Sequence, residues 1–191
     1  MTNIEVEIRG KLDKESYDKL EDFLKKEGSF VESHEREMIL LHGYPGFSEN
    51  PLERVVDIRL RKTNGDCEIM VKRMLSEDIT GRSEMSLKPA DNDWDKLKEI
   101  CKAFGVTKGT LIHRAKEVYT YNGIEWSLVT APQNIYYYEA EMLSLEGKTV
   151  EENKDILIAE AKKLNLEVFD NQETKKFIDM LNERVNTVIQ L

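Results

Sequence analysis

The chain begins by alternating. In "IEVEIRGK", Ile4, Val6 and Ile8 stand against Glu5, Glu7, Arg9 and Lys11. Period two marks a strand with two unlike faces. The pattern returns in "RVVDIRLRKT", where Val56, Ile58 and Leu60 oppose Val55, Asp57, Arg59 and Arg61. "SFVESHEREMILLHG", "CEIMVKRM", "TGRSEMSLKP", "TLIHRAKEVYTY", "IEWSLVT" and "NIYYYEAEMLSL" also read as extended. Asn64-Gly65 and Asn122-Gly123 sit between strands, the dipeptide that tight hairpins prefer.

Helical spacing appears elsewhere. In "DKESYDKLEDFLKKEG", Asp13 caps, Tyr17, Leu20 and Leu24 recur, and Gly28 stops the helix. A second helix is expected over "NDWDKLKEICKAFG", capped near Asp91 and ended at Gly105. "YPGFSENP" is a loop. The tail reads as helical, with capping boxes at Thr149–Glu152 and Asp170–Glu173. Its last helix sets Phe177, Leu181, Val185 and Val188 on one stripe. That stripe is assigned to packing, with a homodimer contact or a plug for one end of the fold as alternatives. The class is α+β, about eight strands linked mostly by short turns into a large antiparallel sheet or barrel. One domain over residues 1–191 is expected: a barrel with inserted helices to 147, then C-terminal helices over 148–191.

Composition changes the picture in two ways. Hydrophobic content of 40% suffices for a core, while net charge −9 argues against a binder of double-stranded nucleic acid. A small anionic ligand stays open if the cations are concentrated in one place. Cys67 and Cys101 show neither metal-ligand spacing nor a disulfide framework, so a reducing cytoplasm is expected. The start "MTNIEVEIRG" has no basic segment before an apolar one, and no apolar run is long enough to span a membrane.

The charged faces carry the chemistry. Arg59 and Arg61 share a face, as do Glu68 and Lys72, then Arg82, Glu84, Ser86 and Lys88. Arg114 and Lys116 share another, and Glu139 and Glu141 another. Any one of these strands, taken alone, would be assigned a face in water. Yet the charges are segregated by strand, whereas a solvated face would intermix them to relieve repulsion. Paired carboxylates suit Mg²⁺ or Mn²⁺, and clustered Arg and Lys suit phosphate oxygens. A closed barrel would bring both sets around a polar interior.

In order, Glu5-x-Glu7-x-Arg9, Arg59-x-Arg61, Lys72, Arg82-x-Glu84, Arg114-x-Lys116 and Glu139-x-Glu141 resemble the CYTH superfamily, the triphosphate tunnel metalloenzymes. The resemblance covers about residues 3–165. It implies an eight-stranded antiparallel β-barrel, open at both ends, with helices packed outside. Members act on tripolyphosphate, thiamine triphosphate, nucleoside triphosphates or RNA 5′-triphosphates, and a smaller branch makes cyclic AMP from ATP. All need Mg²⁺ or Mn²⁺.

By position, the resemblance makes Glu5, Glu7, Glu139 and Glu141 metal ligands, with Glu84 assisting. Arg9, Arg59, Arg61, Lys72, Arg82, Arg114 and Lys116 would bind the triphosphate. Glu5, Glu7, Arg59, Lys72, Glu139 and Glu141 form the expected catalytic set. Two positions depart from the family. Arg9 stands where it has lysine, and Ser127 stands where it has an aspartate on the penultimate strand, which bears on a second, water-activating metal. The "HGYPGFSENPLER" loop also differs from the usual pattern.

A metal-dependent triphosphatase is the leading reading. A cyclase ranks below it, because only "MTNI" precedes Glu5, where the cyclase branch often carries a His-Phe pair. A binding-only module is the third, motivated by Ser127. Other motifs carry less. "EGKT" at 146–149 lacks the glycine that a P-loop needs at Met142. His34, His42 and His113 do not cluster and are assigned structural or surface roles, and Trp126 is assigned to packing under a helix. Tyr136, Tyr137 and Tyr138 are assigned to sheet packing, with ligand stacking by Tyr137 as the alternative.

Overall fold

The computed structural model describes residues 4–74 and 81–191. Residues 1–3 of the N-terminal segment, and Thr80 at the head of "TGRSEMSLKP", lie outside the described residues. The elements run β1 (Ile4–Leu12), α1 (Lys14–Glu27), β2 (Ser29–Leu41), β3 (Val56–Thr63), β4 (Asp66–Met74), β5 (Gly81–Leu87) and α2 (Trp94–Ala103). They continue with β6 (Lys108–Tyr121), β7 (Ile124–Ala131), β8 (Ile135–Leu143), α3 (Val150–Lys163), α4 (Asn171–Arg184) and β9 (Thr187–Gln190).

Both Asn-Gly dipeptides turn as expected. Asn64 and Gly65 have φ of 49° and 98°, and Asn122 and Gly123 have 53° and 74°. Left-handed backbone at both positions matches the twist of the strands they join. The strands form a ring in the order β2-β3-β4-β5-β1-β8-β7-β6, closed by β2 pairing with β6. Every pairing is antiparallel. The ring is uneven: β1 meets β5 only at Ile4↔Ser83, Glu5↔Arg82 and Val6↔Gly81, but follows β8 from Glu5 to Leu12.

Alternation decides which side is dry. The apolar positions face outward, under helices. Val6, Ile8 and Leu12 of β1 pack with Trp126, Leu128, Tyr138 and Ala140, beneath Tyr17, Leu20 and Leu24 of α1 and Leu157 and Ala161 of α3. A second cluster sets Ile39, Leu41, Leu60 and Cys67 under Leu97 and Cys101 of α2. Each buried Leu, Ile or Val among them contributes roughly 1.5–3 kcal/mol by leaving water. The cap of α2, expected near Asp91, is Asp93, whose carboxylate accepts from the Lys96 amide. Asp91 pairs instead with the Lys96 side chain.

The tail departs further from expectation. The last helix ends at Arg184, Val185 caps it, and Thr187–Gln190 forms a ninth strand along Lys108–Leu111 of β6. Val188 is therefore exposed on a strand and does not belong to a helical stripe. Only α1, α2 and α3 pack outside the ring. Phe177 and Leu181 of α4 contact Val129, Ala131, Ile135 and Tyr137, which share the inward parity of Ser127 and Glu139. So α4 covers one end of the ring, the plug alternative. Its approach is fixed by β1: the Phe169 amide donates to the Arg9 carbonyl at 2.9 Å, and Tyr138 Oη donates to the Glu167 carbonyl at 2.8 Å. Gly10 permits this contact, since a Cβ there would stand 1.9 Å from the Glu167 oxygen. No helix among the described residues is long and apolar enough to cross a membrane.

Candidate active site

The inward face of the ring surrounds a cavity of about 310 Å³. Every residue that the ordered motifs singled out lines it: Glu5, Glu7, Arg9, Arg59, Arg61, Lys72, Arg82, Glu84, Arg114, Lys116, Glu139 and Glu141. The reason is parity. Each lies on a strand whose alternate residues are committed to the outer core, so its own side chain must point inward. Nine cations and seven carboxylates line the lumen, with Asp57 and Glu68 behind them as ion-pair partners, so cations are concentrated here in a chain of net charge −9.

Register builds two rows across three neighbouring strands. Glu7 of β1 faces Glu141 of β8, which faces Glu125 of β7. Next to it, Arg9 faces Glu139, which faces Ser127. The second row is compensated: Lys116 binds Glu139, and Arg9 binds Glu7 and lies 3.7 Å from Glu139. Burial pushes the Glu139 carboxyl up, but Lys116 and Arg9 outweigh it and hold it well below the usual range. Glu7 is likewise held low by Arg9 against its burial. The first row has an excess of acid. Burial and then Glu7 push Glu141 up to about 8, with Glu125 adding to the shift. Burial also raises Glu5.

The opposite wall is a lattice of ion pairs. Arg59 grips Asp57 through two hydrogen bonds of 2.7 Å. Arg54 and Arg82 approach the same carboxylate at 3.5 and 3.9 Å. Arg61 donates to Glu68 at 2.7 Å and reaches Glu84 at 3.3 Å. Lys72 lies 3.0 Å from Glu84 and 3.5 Å from Glu5. Burial would raise Glu84, but Lys72 and Arg61 hold it low. Arg114 donates to Tyr137 Oη at 3.2 Å and to Asn186 Oδ1 at 3.1 Å, tying the lumen to the segment after α4. Tyr137 is thus a hydrogen-bond partner of a cation as well as a packing residue.

Several lumen residues escaped the sequence reading. Glu125 shares the face of Ser127 two residues earlier, so a carboxylate does stand on this strand, one register pair from the expected place. Arg54 comes from the long loop, where no periodicity could flag it. Its guanidinium rests 5.1 Å from the Phe47 ring centre, and Nε donates to the Ser48 carbonyl at 2.9 Å. Glu32, His34 and Arg36 of β2 also line the lumen. His42 sits outside it, bonded to Thr110, and His113 is exposed.

Among the described residues, no three His, Cys, Asp or Glu groups stand close enough together to hold a metal as they lie. The donor chemistry nonetheless fits Mg²⁺ or Mn²⁺. Glu7, Glu141 and Glu125 form a row of hard oxygen donors with more negative charge than nearby cations offset.

No protein-family model matches the chain, and no curated protein matches it. Solved structures do. The PH1819 protein of Pyrococcus horikoshii superposes with a TM-score of 0.71 at 19% identity, over 92% of this chain and 99% of that one. A candidate adenylate cyclase of Vibrio parahaemolyticus gives 0.65 at 13% identity, over 91% and 98%. A Hippeastrum protein, a candidate adenylyl cyclase with a dominant triphosphatase activity, gives 0.58 at 17%, over 87% and 89%. The likeness is one of fold: the antiparallel ring of eight strands is the one that the CYTH resemblance implies, with α4 over one end where an open mouth was expected.

Proposed function

We propose that the protein is a metal-dependent triphosphatase that releases phosphate from a small triphosphate: tripolyphosphate, thiamine triphosphate or a nucleoside triphosphate. The observation that carries this reading is the concentration of nine cations around one cavity of an acidic chain, with an over-acidic row, Glu7–Glu141–Glu125, on one wall. A polyanion with a divalent cation satisfies both parts. The dominant triphosphatase activity of the Hippeastrum counterpart agrees with it.

Arg9, Arg59, Arg61, Lys72, Arg82, Arg114 and Lys116 hold the phosphates. Each sits half-buried or buried on a strand and is already oriented by a partner, so little reorganisation is needed as charge shifts in the transition state. Phosphate oxygens displace those partners, and Arg grips them two at a time. Glu5, Glu7, Glu139 and Glu141 would hold Mg²⁺ or Mn²⁺, with Glu84 assisting and Glu125 supplying the carboxylate that Ser127 lacks. When bound, the metal polarises a phosphoryl oxygen and orients water for in-line attack. With a carboxylate at Glu125, the case for a binding-only module loses its motive. The free, buried thiols of Cys67 and Cys101 suit a cytoplasmic setting.

The test is a panel of tripolyphosphate, thiamine triphosphate and ATP with each metal, scored for phosphate and for cyclic AMP. Phosphate release that stops with chelator is expected. Cyclic AMP in its place would establish the cyclase reading, and no product from any substrate would sink both.

A further inference from the structure

Almost every lumen cation is answered by acid. Among the described residues, all except Arg36 and Arg114 form an ion pair with a carboxylate. Arg114 is instead held by three neutral acceptors: Tyr137 Oη, Asn186 Oδ1 and the His113 carbonyl. Arg36 has less. Its Nε donates to Thr63 Oγ1 at 3.1 Å, and its Nη2 lies 3.4 Å from His34 Nε2. Burial and then the neighbouring Arg61 work against its charge, with Glu139, Glu68 and Glu32 opposing from beyond ion-pair distance. A half-buried guanidinium with no carboxylate in direct contact keeps unused donors, and an anion beside it would satisfy them.

His34 is built around the same contact. It is 5% exposed, and its Nδ1 has no hydrogen-bond partner. The nearest carboxylate oxygen, from Glu32, stands 3.5 Å away. A guanidinium only donates, so Nε2 must be the bare nitrogen and Nδ1 must carry the hydrogen. Protonation would place two cations 3.4 Å apart and break the contact. The charged groups around the ring are Glu32 and Arg36 on β2 and Lys116, its register partner on β6. Burial, then Arg36, then Lys116 lower the imidazole pKa, with Glu32 opposing, so the ring is neutral at physiological pH.

We propose that Arg36 is a further phosphate-binding side chain of the lumen and that His34 is its positioning residue. This rests on the triphosphatase reading and extends the phosphate track to β2, a strand the ordered motifs leave out. Neutral His34 holds the guanidinium toward the bound polyanion, and acid releases it.

The test is calorimetric binding of tripolyphosphate in chelator, with phosphate release in Mn²⁺ run alongside. Arg36→Met should raise Kd and KM at least about tenfold, the size of one charged hydrogen bond, with kcat within about threefold. Arg36→Lys should fall between, and thermal melting shows which variants are folded. His34→Phe should weaken binding at neutral pH. His34→Gln, whose amide oxygen can replace Nε2 as acceptor, should restore it and should lose the extra weakening that wild type shows on acidification. Arg36→Met and Arg36→Lys binding like wild type would overturn the proposal. So would identical behaviour of His34→Phe and His34→Gln. If wild type binds tripolyphosphate without turnover, the hydrolase reading fails while the binding comparison still decides the role of Arg36.

Discussion

The two faces of one set of strands behave as different materials. Outward, Trp126, Leu128 and Tyr138 are fully buried under α1 and α3 and make an ordinary core. Inward, one residue along each strand, Glu125, Ser127 and Glu139 line a charged cavity. The outer face gains from leaving water. The inner face holds ions away from bulk water, and its pairs offset much of their own desolvation without adding much net stability. Stability and function are thus divided by parity, and a change on one face should leave the other largely intact.

The largest effect should come from a single lumen cation. Lys72→Met removes the ammonium between Glu5 and Glu84, and kcat should fall about 100- to 1000-fold, the range for loss of one preorganised donor. Its melting temperature should move far less than that of the outer-face variant Trp126→Ala. That variant should lose about 3–5 kcal/mol of stability in denaturant melts, while the KM of the folded fraction stays near wild type. A catalytic loss in Trp126→Ala as deep as that of Lys72→Met would break the division.

The pH dependence of stability sharpens the comparison. Glu141 titrates near 8 in the folded chain, above its ordinary value, so the folded state holds that proton more tightly than the unfolded state does. That contribution is full at low pH and is lost as pH rises through about 8. Burial lowers His34 and His42, so both are already neutral above about pH 7 and do not mask the slope. In chelator, wild type should lose stability from about pH 7 to pH 9 relative to Glu141→Gln. Mg²⁺ or Mn²⁺ should raise the wild-type melting temperature more at the upper end. Parallel curves for the two proteins would remove the case for an over-acidic row. The smallest effect belongs to the outside: Asp93→Ala should cost about 1 kcal/mol through the lost α2 cap and leave turnover unchanged.

Much of this was legible because alternating strands label their own faces. In β1, β3 and β8, every inward charge has an apolar neighbour that fixes its direction. That logic failed where both parities are polar. Glu32, Ser33, His34, Glu35, Arg36 and Glu37 offer no apolar residue to mark a face, so His34 and Arg36 could not be assigned to the lumen. Arg54 sits on a loop without a period. Glu125 was passed over because the carboxylate was sought at Ser127. The ninth strand was hidden because Val185 and Val188 continue the helical spacing of Phe177 and Leu181, while pairing with β6 is a long-range contact. The position of α4 was open for a similar reason, since an apolar stripe does not name the surface it will cover.

The most direct measurement is kcat/KM for tripolyphosphate with Mn²⁺ in wild type and Glu139→Gln, each shown to be folded by its melting curve. Glu139 is the carboxylate on which Arg9 and Lys116 converge, and it faces Ser127 within the proposed metal site. The account predicts metal-dependent release by wild type and a loss of at least about 1000-fold in the folded variant. A folded Glu139→Gln protein that hydrolyses tripolyphosphate at the wild-type rate would contradict it.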